Sequence, residues 1–199
     1  MTFVSGFFGF LLGLPLGILV FVTRKGQIKE NRILNSILAA FVNIFRAIPF
    51  IILIVWMIPF TRMIVGTSIG VGAALVPLSV GAAPFIARMV GNSFLEVPYG
   101  LIEASRAMGA TPFQIVWKVL IPEALPSLVN CATITLITLT GYSAMGGSVG
   151  AGGLGQIGYQ YGYVGYDLIT MNVVLTLLVL LVFIIQFVGN YVSKKVDHR

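Results

Sequence analysis

Residues 103–122 read EASRAMGATPFQIVWKVLIP, a polar, helix-forming insertion set between apolar segments of bilayer-crossing length. Pro98 suits a first helical turn, and Glu103 and Arg106 lie three apart on one face. Gly109 is placed to end that helix in the left-handed conformation, so the spacing predicts a short helix over about 98–108. Thr111 then supplies an N-cap, Pro112 fits the first helical position and Gln114 completes a T-x-x-Q capping box. A second helix is expected to about Leu120, closed by Pro122 and Pro126. Two capped helices on a glycine hinge form a stiff element able to transmit a push from a partner outside the membrane; the plainer alternative is a structured connecting loop. Ala104, Ser105 and Ala107 are small enough to let another protein approach, and Glu103 offers a charge that fixes register.

On either side of this insertion the chain is built for lipid. Of its 199 residues, 58% are hydrophobic and 9% charged, against roughly a quarter charged in a soluble domain; the mean hydropathy is +1.01. A helix needs about 20 apolar residues to cross the hydrocarbon core with every backbone group bonded internally. Such stretches fall at about 2–23, 39–60, 67–90, 126–145 and 168–188, and the insertion occupies about 98–122. The expected fold is an all-α, multi-pass membrane protein forming a single transmembrane domain, with about five spans. Basic loops stay in the cytoplasm. Arg24, Lys25, Lys29 and Arg32 follow the first span, Arg106 and Lys118 precede the fourth, and Lys194, Lys195 and Arg199 follow the fifth. The opposite loops hold Arg62 and, between 146 and 167, no Lys or Arg. The N-terminus is therefore expected outside and the C-terminus inside. The net charge of +6 reads as this topology signal, reinforced by anionic lipid, and not as a nucleic-acid footprint.

The first apolar run has neither a basic leader nor a polar mature domain after it, so it is expected to remain as a span and not to be cleaved; missing upstream residues are compatible with an entry so close to Met1. One cysteine, Cys131, excludes an intrachain disulfide framework and reads as a small packing residue in the fourth span. Gly9, Gly13 and Gly17 recur every four residues, a pattern for close helix crossing, within the chain or between subunits. Pro15, Pro49, Pro59, Pro77 and Pro84 are kink or hinge positions. Arg46 and Arg88, toward the cytoplasmic ends of their spans, are expected to snorkel. Trp56 falls nearer the outer interface and Trp117 on the insertion; neither requires a ligand.

A substrate path is expected along the fourth span. Thr135, Thr138, Tyr142 and Met145 recur at three- and four-residue intervals, and a polar or polarisable stripe is costly against lipid. It faces water or a neighbouring helix; in the second case the threonines bond their own backbone. Beside a two-fold axis, paired Met145 and Tyr142 side chains would form a soft constriction suited to a small apolar solute, with Ser143 as an alternative lining residue. The glycine-rich stretch 146–165 lacks a G-K-[ST] ending and falls outside, so it is not a nucleotide cradle. With Tyr159, Tyr161, Tyr163 and Tyr166 it suits a compact interfacial or re-entrant loop. The single histidine, His198, the six acids and the absence of Cys/His metal spacing give no catalytic or metal constellation, so the chain is not expected to be an enzyme.

Glu103-Ala104-Ser105, Gly109 and Ile121-Pro122 at their spacing resemble the EAA loop of ABC-importer permeases, with serine in place of the second alanine. The runs FRAIPFIILIVWMIPFTRMIVGTSIG (45–70), VGAAPFIARMV (80–90) and GYSAMGGSVGAGGLGQIGYQYGY (141–163) extend the resemblance to the permeases of bacterial methionine importers over nearly the whole chain. The resemblance implies a type I importer permease in the inner membrane, working as two identical copies with two cytoplasmic ATPase subunits and a periplasmic methionine-binding lipoprotein. It implies coupling through Glu103, Ala104, Ser105, Arg106 and Gly109, with ATP used by the partner and no cofactor on this chain. The other readings of the residues are an importer of another small solute, or a channel or secondary transporter in which the loop only gates.

Overall fold

The computed structural model describes residues 1–197; His198 and Arg199, the expected end of the basic C-terminal cluster, lie outside the described residues. Its elements are helical: α1 (Thr2–Val22), α2 (Arg32–Ala47), α3 (Phe50–Trp56), α4 (Ile58–Val65), α5 (Val71–Leu95), α6 (Tyr99–Ala107), α7 (Pro112–Ile115), α8 (Ile121–Glu123), α9 (Leu125–Gly146), α10 (Gly153–Ile157) and α11 (Leu168–Val196). Among the described residues, α1, α5, α9 and α11 are long and apolar enough to cross a bilayer, and α2 with α3, bent by 99° at their junction, brings the number to five where the bent pair counts as one span.

The break falls at Pro49, one of the expected kink positions, and divides the second span expected at 39–60 into α2 and α3. Proline disfavours helical geometry in the residue before it and brings no N–H of its own. Accordingly Ile48 is extended, with φ −76° and ψ 121°, Pro49 caps α3, and α3 leaves α2 at 99°. The start of α2 is held by the Asn31 side chain, which accepts from the Leu34 N–H at 3.0 Å. Asn35 Nδ2 ties it to α1 by donating to the Val20 carbonyl at 2.7 Å. The third span is shifted as well: Gly66 closes α4 at φ 81° and Gly70 opens α5 at φ 99°, so the helix runs from Val71 to Leu95 and not over 67–90. Pro15, Pro77 and Pro84 lie inside helices that continue through them.

Helix α5 is the most buried span, with α1, α2, α3 and α9 packed around it. In lipid no hydrophobic gain drives helices together, so close packing must. Gly9, Gly13 and Gly17 of α1 are buried against Ala82, Ala83, Ile86, Ala87 and Val90 of α5, which identifies the glycine stripe as an intrachain seam. A Cβ on Gly13 would lie 2.6 Å from the Ala83 carbonyl oxygen, and one on Gly17 would lie 2.7 Å from that of Ala87. Cys131 is buried in α9, as a packing residue should be.

The glycine-rich segment folds as a short turn followed by one helix packed against α9 and α11. α10 continues through a wider π-helical stretch, Gly158–Val164. The approach is so close that a Cβ on Gly147 would collide with the backbone of Gly155 and Gln156. α11 then starts on a full cap. Asp167 accepts from the Ile169 and Thr170 N–H groups at 2.9 and 3.2 Å and from the Thr170 hydroxyl at 2.6 Å. These bonds, the Thr170 hydroxyl first, hold its carboxyl below the ordinary range.

Candidate coupling face and translocation path

The insertion forms the two helices its punctuation predicts. Gly109 adopts φ 79° after α6, and both bonds of the Thr111–Gln114 capping box are made, at 2.8 and 3.3 Å. The second helix is less regular than expected. Pro122 has no N–H to return to the Lys118 carbonyl, and the chain widens into a π-helical stretch, Val116–Leu120, where the Ile121 N–H reaches the Val116 carbonyl.

Glu103, Ala104 and Arg106 of α6 are exposed, as is Gly109. Ser105 is not; it is buried and its hydroxyl donates to the Leu101 carbonyl at 2.6 Å, so it packs the helix down and does not open it to a partner. Glu103 and Arg106 share a helix face without pairing. Arg106 Nη2 instead donates to the Gln27 carbonyl at 2.9 Å, and the Tyr99 hydroxyl donates to the Gly26 carbonyl at 3.1 Å. Two α6 side chains thereby hold the α1–α2 loop, whose own shape is fixed by Glu30. That carboxylate accepts from the Gly26 N–H and from Arg32 Nε, each at 3.0 Å, and the Gly26 bond, then Arg32, holds its pKa below the usual carboxylate range. Among the described residues Glu103 has no hydrogen-bond or ion-pair partner within the chain.

Three large side chains beside it are also uncovered: Met108 is 81% exposed, Phe113 70% and Trp117 53%, with the two rings 6.0 Å apart. Pattern reading missed this patch because each residue looks like an apolar face turned inward. Its position on the polar, capped insertion was the available signal. Exposed clusters of this kind mark contact sites.

On α9 the expected path residues do not share one environment. Thr135 is buried, with its hydroxyl donating to the Cys131 carbonyl at 2.7 Å. Thr138 is half-buried and donates to the Ile134 carbonyl at 2.9 Å. Tyr142 stacks on Phe50 with ring centroids 4.5 Å apart and planes within 2°, linking α9 to the broken span. Ser143 is half-buried with its Oγ 3.5 Å from Met1 Sδ. Met145 is 54% exposed. The uncovered face of α9 runs through Asn130, Ile134, Gly141 and Met145, with Thr138 at its edge. Among the described residues no cluster of metal-ligating side chains occurs.

A family profile described as "Binding-protein-dependent transport system inner membrane component" matches residues 9–199. The chain is 77% identical over 147 residues to the D-methionine transport system permease protein MetI of Salmonella typhimurium, covering 74% of this chain and 68% of that protein. It is 52% identical over 199 residues to the probable D-methionine transport system permease protein MetI of Vibrio cholerae, covering 100% of this chain and 88% of that one. Among solved structures, an inward-facing conformation of the MetNI methionine ABC transporter superposes with a TM-score of 0.99 at 72% identity, over 100% of this chain and 92% of that chain. An amino acid ABC transporter solved with histidines matches at 0.76 and 16% identity, over 98% and 88%, a likeness of fold alone.

Proposed function

The chain belongs to the family of binding-protein-dependent transport system inner membrane components, and from that premise we propose that it is the permease subunit of an ATP-driven methionine importer. In this reading two copies form the path, and a separate ATPase pair binds and hydrolyses ATP on the cytoplasmic side. A periplasmic methionine-binding lipoprotein delivers the solute from the other side. The chain holds no cofactor and performs no catalysis of its own.

The observation that carries the coupling role is Glu103, without a partner among the described residues, together with uncovered Met108, Phe113 and Trp117 on the two helices of the insertion. An apolar patch next to a charge with no internal partner is a docking surface with register. Ala104 adds a small contact, and Gly109 sets the angle between the helices. Ser105 and Arg106 act within the chain, one by packing α6 and the other by holding the Gln27 carbonyl. A displacement of α6 would therefore carry the α1–α2 loop with it, moving the ends of α1, α2 and α5 together.

At the other end, exposed Met145 supplies a gate when two α9 helices meet at a two-fold axis. Its thioether is apolar, polarisable and flexible, which suits a passage that must seal and then admit a similar side chain. Thr138 borders the same face. Tyr142, stacked on Phe50, positions α9 against the broken span, while Thr135 and Ser143 serve packing from their buried and half-buried places.

The deciding experiment is uptake by the reconstituted permease–ATPase complex with its binding protein, comparing the parent with Glu103→Gln. That change keeps the side-chain shape and removes the charge. Uptake is expected to fall at least about tenfold, equivalent to about 1.4 kcal/mol, while membrane insertion stays at the parental level. Parental uptake in Glu103→Gln would remove the coupling assignment.

A further inference from the structure

We propose that each chain holds the phosphate of one anionic membrane lipid at the cytoplasmic leaflet, in a groove between α1, α2 and α5 lined by Arg24, Asn43, Arg88 and Asn92.

The groove is open to its surroundings and has a cavity volume of about 40 Å³. Its level in the membrane follows from the helices that form it. Phe21 is one residue short of the end of α1, and Leu95 is the last residue of α5, so the floor lies where two spans leave the hydrocarbon on the side marked cytoplasmic by its basic residues. Its walls divide by chemistry in the way a phospholipid does. Leu95, 46% exposed, and half-buried Val20 and Ala39 offer apolar surface for the first acyl carbons, and two guanidiniums with two amides offer N–H donors beside it. Guanidinium forks match the oxygens of a phosphate and bind it bidentately. Basic pockets between spans on this side take anionic headgroups.

The charges around the groove leave that role open. Among the described residues neither the Arg24 nor the Arg88 side chain has an ion pair or hydrogen bond. No acid among the described residues lines the groove. Glu30 is held by Arg32 and the Gly26 N–H, and Glu96, next to Leu95 in sequence, lines a different cavity with Ser93 and Glu123. Two cations gathered in one groove at the edge of the low-dielectric region repel each other until an anion joins them, and a lipid phosphate is the anion always present at that depth. Lysine residues farther along the loops attract the leaflet only as a diffuse field, whereas this groove fixes a single headgroup.

The test uses the assembled permease–ATPase complex, purified in mild detergent from vesicles of one part phosphatidylglycerol to three parts phosphatidylcholine. Retained lipid is counted by native mass spectrometry. Arg24→Gln/Arg88→Gln is expected to retain about tenfold less phosphatidylglycerol per chain than the parent, with phosphatidylcholine unchanged. Lys194→Gln/Lys195→Gln, the same loss of charge elsewhere on that side, is expected to behave as the parent. Equal phosphatidylglycerol retention in all three overturns the proposal, and an equal fall in both double variants overturns it in favour of a diffuse field. Dissociation of the two copies with retention per chain unaltered also overturns it, by making the groove a subunit contact, and so does binding of inorganic phosphate by a parent that retains no phosphatidylglycerol. Should the double variant fail to assemble, Asn92→Ala carries the test: about threefold lower retention is expected, and parental retention refutes the site.

Discussion

The seam between α1 and α5 makes a quantitative prediction. A methyl group added at Gly13 would sit 2.6 Å from the Ala83 carbonyl oxygen and 2.7 Å from Ile86 Cβ, where ordinary contact begins at 3.4 Å. The helices must therefore part by 3.4 − 2.6 = 0.8 Å at that level. Both opposing atoms are backbone or Cβ, so no side-chain rotation relieves the clash. A radial gap of about 0.5–1 Å forfeits a quarter to a half of each contact's dispersion energy, and forced overpacking typically costs about 1–3 kcal/mol. Gly91 of α5 provides the control, since a Cβ there meets nothing within 4 Å. Both substitutions carry the same intrinsic gain of a Gly→Ala change inside a helix, up to about 1 kcal/mol, which cancels in the comparison. Gly13→Ala should be less stable than Gly91→Ala by about 2–3 kcal/mol, or roughly 5–10 °C in Tm for a chain of this size. Thermal unfolding of the detergent-purified complex, followed by tryptophan fluorescence, measures it. Melting of the two variants within about 1 °C of each other would refute the claim that the glycines set the interhelical distance.

Phe113→Ala should weaken capture of the ATPase: Phe113 is 70% exposed, and at about 25 cal/mol per Å² covering that share of a ring of about 200 Å² is worth ~3–4 kcal/mol, so Kd should rise on the order of 100- to 1000-fold. Unchanged affinity in a titration of the purified subunits would move the docking surface elsewhere. Met145→Cys should give a disulfide-linked dimer on mild oxidation, because Cys131 is buried and the new thiol is the exposed one; a chain that remains monomeric under oxidation removes the gate from the two-fold axis. The Asp167 cap carries a pH dependence. Its folded pKa lies below the unfolded value, so its stabilisation is complete above about pH 4 and is lost as pH falls through the lower folded value. Hydrogen exchange at the Ile169 and Thr170 amides should accelerate relative to mid-helix amides below about pH 4 and not above it, and Asp167→Asn should remove the pH dependence while keeping the acceptor. Amide protection that stays constant across that range would dismiss the cap as a source of stability.

The spans were readable because bilayer thickness imposes a length and lipid imposes a composition, and both survive in a single sequence. The coupling helices were readable because Thr111, Pro112, Gln114 and Gly109 act through local geometry. What escaped reading depended on contacts between distant segments. Apolarity is continuous across Ile48 and Pro49, so composition alone joins α2 to α3, and only the backbone limits of an X-Pro pair foretold the break. The hold of α6 on the α1–α2 loop uses the Gly26 and Gln27 carbonyls, which every residue possesses and which leave no mark in the side-chain pattern. The path residues show the same limit: spacing places Thr135, Thr138, Tyr142 and Met145 on neighbouring positions of α9, yet their exposure is decided by Phe50 and by helices that arrive from elsewhere in the chain.

The glycine seam also bears on how the protein is made. Helix α1 is finished at Val22 and its partner α5 begins at Val71, 71 − 22 = 49 residues later. At about 5–20 residues per second of synthesis, α1 waits in the bilayer for roughly 2–10 s before its mate exists. A seam built from polar side chains would spend that interval seeking hydrogen bonds and could capture a wrong neighbour. A row of glycines presents a shallow furrow with nothing to satisfy, which lipid chains fill and then vacate. Specificity is thereby deferred to the arriving helix, whose alanines and β-branched residues fit the furrow at one height, and the order of emergence from the ribosome becomes compatible with the order of packing.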